Sequence, residues 1–168
     1  MADVFDPIAL MQALDRQRVT YIVIGALGRV IHGSDEQTDG IDIVPSTREE
    51  NLRRLGLALE DLNARRTDGR QPSLERDLAR EPVLELHTDQ GDLKIVPEPA
   101  GTRGYDDLRR AVTREPLGHG LRPSVASVGD HARMLAALDR ERDRTPLLTL
   151  RRLIELERER SRGRVIER

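Results

Sequence analysis

At 168 residues the chain is long enough to bury one full core, and with one Phe, two Tyr and no Trp that core is aliphatic. Charged residues make up 35% of the chain yet cancel to a net charge of −2, so no overall field draws it to nucleic acid or an anionic membrane. The absence of cysteine removes disulfides and thiolate chemistry.

No stretch approaches the ~18 apolar residues of a membrane span. The N-terminal segment lacks the basic flank and apolar run of a signal peptide, which makes a cytoplasmic protein with no membrane partner the expectation. All but one of the 28 basic residues are arginine, as in a GC-rich coding sequence; the exception is Lys94.

Asp6-Pro7 is a helix start, a capping carboxylate before a proline at the first helical position, and Ile8, Met11 and Leu14 mark one face up to about Gln17. Two short apolar runs follow, Tyr21–Ile24 and Ile41–Val44, joined by a Gly-rich corner at Gly25, a short helix and a polar loop. In a strand, residues i and i+2 share a side, so Gly40 and Asp42 point together and Asp39 does not. Thr47 to Glu50 reads as a capping box ahead of the stripe Leu52, Leu55, Leu59 and Leu62. Asn63 to Pro72 is polar, Arg-rich and turn-like, the segment expected to move most. One or two helical turns are expected over Ser73–Arg80.

Pro82–Thr88 and Asp92–Val96 flank Asp89-Gln90-Gly91 as the arms of a β-hairpin. Leu84, Leu86, Leu93 and Ile95 take one face of it, and Asp92 and Lys94 share the other. A helix is expected over Tyr105–Val112, a Gly/Pro-rich connector over Pro116–Pro123 and a short strand over Val125–Ser127. Ser127 opens a helix carrying Met134, Leu135 and Leu138, and Thr145-Pro146 opens the last, with Leu147, Leu150, Leu153, Ile154 and Leu156. From Glu157 the tail is charged on all sides and is expected to fray. There is no internal repeat.

The unit Thr20–Pro45 resembles the core of the nucleotidyltransferase fold, in its AbiEii/MenT-like toxin–antitoxin branch. Gly25, His32-Gly33, Thr38 and Asp42-Ile43-Val44-Pro45 fit that pattern, while Gly40 stands where the first Asp of a D-x-D pair belongs. Thr88, Gly91, Asp92 and Leu93 fit a T-x-x-G-x-L-D pattern that puts Lys94 at the third acid. Ser127, Asp130 and Met134, then Arg140 and Asp143, continue the match, with Leu135 where the family keeps a Lys near the phosphates.

The resemblance implies an α/β (α+β) fold, a mixed sheet flanked by helices, with the core in residues 1–126 and a C-terminal helical segment in 127–168. In that family three carboxylates hold two Mg²⁺ around a triphosphate. Only Asp42 remains of the three, and a lysine ammonium offers no lone pair to a metal. The implied function is a degenerate nucleotidyltransferase-like protein that needs no cofactor and binds a nucleotide, an RNA end or a protein partner through the old cleft. The site set is Asp42 as residual catalytic group, with Gly25, Ala26, Arg29, Ser34, Lys94 and Arg140 toward substrate.

The alternative is an active transferase with a remodelled Mg²⁺ site on Asp42 and Asp92, acting on tRNA or a protein hydroxyl; a ligand-free structural module is a third reading. A cognate antitoxin is the protein partner the resemblance implies. For Lys94 the choice is between a solvated strand residue and an ammonium seated in the metal's place, paired with Asp42. Arg29 either faces a phosphate or lies on a solvated helix face. His32, His87, His119 and His131 show no metal-ligand spacing and read as structural or exposed. The tail Arg158–Arg168 is a mixed-charge helix end with no aromatic side chain to stack on RNA bases.

Overall fold

The computed structural model describes residues 4–166. Asp6 caps α1 (Pro7–Arg16), its carboxylate accepting the Ala9 amide at 3.0 Å. β1 (Tyr21–Ile24), α2 (Gly25–Ile31), β2 (Gly40–Pro45) and α3 (Glu49–Asp61) follow, then β3 (Arg65–Arg66) and α4 (Leu74–Arg80). The hairpin of β4 (Leu84–Thr88) and β5 (Gly91–Ile95) leads to the short α5 (Tyr105–Leu108), β6 (Thr113–Arg114), β7 (Ser124–Val125), α6 (Val128–Leu138) and α7 (Arg144–Ile166). The strands form one mixed sheet in the order β3-β4-β5-β2-β1-β7-β6. β2 runs antiparallel to β1 and parallel to β5, and β7 lies parallel to β1.

Period-2 alternation splits this sheet into two unlike faces. Val23, Ile41, Ile43, Leu84, Leu86, Leu93 and Ile95 point into the main core, against Leu10 and Leu14 of α1 and Leu55 and Leu59 of α3. On the other face, Ile22, Ile24 and Val44 are covered by Leu108 and Met134. That cover stops at β2. Beyond it Glu85, His87, Asp92 and Lys94 face outward, all exposed. A third cluster, Val128, Leu135 and Leu150, joins α6 to α7. No helix of the described residues is long and apolar enough to cross a membrane.

Several elements differ from the sequence-based expectation. The Thr47–Glu50 capping box does not form: α3 starts at Glu49 with Arg48 at the cap and no side-chain cap bond. Two first-turn glutamates offset the helix dipole instead. Asn51 is turned inward, where it donates to the Ser46 and Thr20 carbonyls and accepts the Thr20 amide, tying α3 to the end of the sheet. The polar 63–72 segment carries β3, paired with β4, and Arg66 within it is held by Asp77 at 3.0 Å and by Glu81. The short strand lies at Ser124–Val125, which frees Ser127 to cap α6 by accepting the Asp130 amide. The last helix begins before Thr145-Pro146 and runs unbroken to Ile166. Glu167 and Arg168 of the tail, like residues 1–3 of the N-terminal segment, lie outside the described residues.

Candidate nucleotide cleft

The bare part of the sheet and the N-terminal end of α2 enclose a cleft of about 240 Å³, lined by Ala26, Gln37, Thr38, Asp39, Gly40, Asp42, Asp92 and Lys94. Its geometry follows from one strand pair. In the parallel register of β2 and β5, Gly40 lies beside Asp92 and Asp42 beside Lys94. Both pairs share the face away from the apolar core, as the alternation requires. The Thr38 hydroxyl donates to the Gly40 carbonyl at 2.7 Å and shapes the turn into β2.

Asp42 is the most enclosed of these carboxylates. Gly25 presses on it: at φ +71°, a Cβ there would stand 2.4 Å from Asp42 Oδ2, so the corner needs glycine for both its dihedral and its clearance. Burial raises the Asp42 pKa above the ordinary carboxylate range, against the opposing pull of Lys94, Arg29 and Arg140. Desolvation outweighs three cations.

The ammonium of Lys94 does not pair with Asp42. Its ion-pair partner is Glu85, 3.9 Å away and directly across the β4–β5 ladder, and both side chains are about half exposed. Asp92 is likewise engaged with its cross-strand neighbour, accepting from His87 Nδ1 at 2.7 Å. Sequence reasoning missed both partners, although a signal existed. A hairpin closed at Asp89-Gln90 sets Glu85 opposite Lys94 and His87 opposite Asp92 by counting back from the turn.

Arg29 and Ser34 are turned to a different task. Arg29 is 9% exposed and grips Glu36 through two bonds of 2.8 Å, to which Ser34 Oγ adds a third at 2.7 Å. This corrects the solvated helix face as the expectation for Arg29, whose guanidinium is buried against Glu36. The Glu36 pKa is lowered, first by the Arg29 hydrogen bond. Arg140 pairs with Asp143 and acts on Asp42 through its charge. Of the expected set, Gly25, Ala26, Asp42, Asp92 and Lys94 therefore meet at the cleft, whereas Arg29, Ser34 and Arg140 make structural pairs beside it.

Behind α2 lies a histidine pair. His32 donates from Nε2 to the Ala126 carbonyl at 2.7 Å, and its ring meets that of His131 edge-on at 5.6 Å. His131 is 1% exposed. Its Nδ1 lies 3.1 Å from the Ser127 carbonyl, which can only accept, so the proton sits on Nδ1 and a bare Nε2 lone pair is buried without a partner. Gly28 makes room for it; a Cβ there would come within 2.5 Å of Nε2.

Mg²⁺ binding in this cleft would fall to Asp42 and Asp92, one of which already serves a histidine. Among the described residues no three His, Cys, Asp or Glu side chains group so as to hold a metal ion. A first carboxylate at Gly40 has no ready space, because a Cβ there would lie 2.8 Å from the Asp92 carbonyl oxygen.

No family model and no curated protein matches the chain. Solved structures do. The lincosamide antibiotic adenylyltransferase LnuA, bound to lincomycin, superposes with a TM-score of 0.60 at 18% identity, over 90% of this chain and 99% of its own. A Thermotoga maritima protein described as a candidate nucleotidyltransferase aligns over 99% of this chain and 98% of its own, with a TM-score of 0.50 and 18% identity. The mixed sheet, its flanking helices and the helical C-terminus are those of the nucleotidyltransferase fold.

Proposed function

We propose that this protein is a nucleotidyltransferase-fold binder, of the AbiEii/MenT-like toxin–antitoxin branch, that holds a nucleotide in the Asp42 cleft without performing metal-dependent transfer. One observation carries this reading: the parallel register that sets Gly40 beside Asp92 and Asp42 beside Lys94. Two Mg²⁺ ions need several hard oxygens on adjacent strands. At these four positions the chain supplies one committed carboxylate, one free one, a hydrogen and an ammonium.

The same groups suit a neutral or weakly charged part of a nucleotide. Asp42, with its raised proton affinity, offers an acceptor for a sugar hydroxyl or a base edge, while Lys94 leaves the half-exposed Glu85 to meet a phosphate. An exposed pair of that kind is worth only ~0–1 kcal/mol, so releasing Lys94 costs little. The division into a core of 1–126 and a helical segment of 127–168 belongs to this reading, with α6 and α7 as the face open to a protein partner.

A second reading rests on a different fact: Asp39, Asp42 and Asp92 line one cleft. A single metal on Asp42 and Asp92 would give a transferase acting on a hydroxyl acceptor, in tRNA, a protein or, as with the antibiotic acceptor of the LnuA neighbour, a small molecule.

Thermal-shift measurements with each nucleoside triphosphate in EDTA and in Mg²⁺, run beside label transfer into a lysate, separate the two. A stabilising nucleotide that acts equally in both buffers, loses part of its effect with Lys94→Ala and transfers no label is the expected result. Label transfer dependent on Mg²⁺ or Mn²⁺ and abolished by Asp42→Asn would overturn it.

A further inference from the structure

Far from Asp42, at the opposite ends of β1 and β2, a groove is made of two adjoining hollows of about 520 and 320 Å³, with Thr20 and Tyr105 in the walls of both. From Asp42 to Ser46, which lines the second hollow, is four strand residues, roughly 13 Å at the rise of a β-strand. The groove is a separate surface, and nothing about it depends on what the Asp42 cleft does.

Its charge contrasts with the rest of the molecule. The chain as a whole is at −2, but the groove is lined by six arginines and three carboxylates. Arg54 and Arg109 are paired there with Glu50 and Asp106. Arg18, Arg48, Arg114 and Arg122 are exposed and, among the described residues, take part in no ion pair.

Two further features mark this as a built surface. Arg18 sits just past the C-cap of α1 at φ +56°, a left-handed position that normally goes to glycine because a Cβ is disfavoured there. An arginine held in that place carries its charge to the rim despite the backbone. The aromatic side chains are concentrated here as well: the chain has two tyrosines, and both line the groove. Tyr21 is buried and donates from its phenol to Asp15 at 3.4 Å. Tyr105 stands half-buried where the two hollows meet.

We propose that this groove is a second ligand site, for a nucleobase carrying phosphates, with Arg18, Arg114, Arg122 and Arg48 holding phosphate oxygens and the Tyr105 ring taking the base. Guanidinium forks match phosphate geometry bidentately. A flat ring between two cationic hollows suits the alternation of base and phosphate better than it suits the flexible carboxylates of an acidic peptide.

The test is fluorescence anisotropy of the full chain with fluorescein-labelled hexauridylate, with ATP and polyglutamate as competitors. Arg114→Glu/Arg122→Glu is expected to weaken binding at least tenfold and to flatten the logarithmic salt dependence by about 0.7 for each arginine removed. Arg18→Gly relieves the left-handed residue, so it is expected to melt no lower than wild type while still weakening binding severalfold. That variant decides the matter if the double one fails to fold. Lys94→Ala reports on the cleft: loss of the signal in that variant would place the oligonucleotide beside Asp42 and not in the groove.

Displacement by ATP identifies a free nucleotide as the source of the ligand, and resistance to ATP identifies a strand; either supports the site. Absence of binding, an affinity unmoved by the arginine changes, loss with Lys94→Ala alone, or polyglutamate competing as well as the oligonucleotide would each overturn it.

Discussion

Replacing His131 by leucine should make the protein resist mild acid. The imidazole is 1% exposed, lies against the His32 ring and near Arg29, and its pKa is pushed down to about 4 from 6.5, chiefly by burial. In the unfolded chain the same group titrates near 6.5, so below that pH the unfolded state binds a proton that the native state refuses. Stability is then fully present above pH 6.5 and is lost as the pH falls toward 4. Each pKa unit is worth about 1.4 kcal/mol, so the whole window amounts to about 3 kcal/mol, of which about 2 kcal/mol is gone by pH 5.

His131→Leu keeps the volume and removes the proton site. It also orphans nothing, because the Ser127 carbonyl still accepts the backbone amide of residue 131 at 2.9 Å. Urea unfolding of both proteins at pH 7.5, 6 and 5 is the assay. At pH 7.5 they should lie within about 1 kcal/mol of each other, as expected for a swap of similar size. At pH 5 the variant should be about 2 kcal/mol the more stable. A carboxylate whose lowered pKa owes nothing to His131, such as Asp77, weakens both proteins alike and cancels in the difference. Parallel stability curves from pH 7.5 to 5 would refute the buried-neutral account.

Asp42→Asn should stabilise the fold at pH 7. The native carboxyl is raised above 3.8, so wild-type stability falls as pH rises through that window, and thermal melts from pH 4 to 8 should show the variant's advantage growing with pH. Arg29→Ala strands Glu36 in a poorly solvated place and should cost about 2–4 kcal/mol by chemical denaturation; a loss under about 0.5 kcal/mol, the usual limit for a surface change, would mean that the pair is solvated. Gly40→Asp forces a Cβ onto the Asp92 carbonyl and should cost about 1–3 kcal/mol. Combined with Lys94→Asp it should nevertheless give a calorimetric Mg²⁺ signal that wild type lacks.

Much of this arrangement was legible in the chain itself. Alternation fixed which face of each strand is apolar, and hence that Gly40, Asp42, Asp92 and Lys94 point together. The Asp6-Pro7 and Ser127 caps were equally readable, because they are local devices whose partners lie three residues away. What the sequence could not supply was the choice among competing partners in space. Lys94 had Asp42 beside it on a parallel strand and Glu85 across an antiparallel one, and the structure pairs it with Glu85.

Arg29 was one turn past Gly25 in any reading, but its burial was decided by where the 32–39 loop folds back and delivers Glu36. The arginine groove shows the same limit, since its residues come from segments as far apart as Arg18, Arg48 and Arg122. Periodicity along a chain is a short-range quantity and survives without coordinates. Which charges meet, and which are stripped of water on meeting, depends on the close packing of distant segments, and only the folded molecule specifies that.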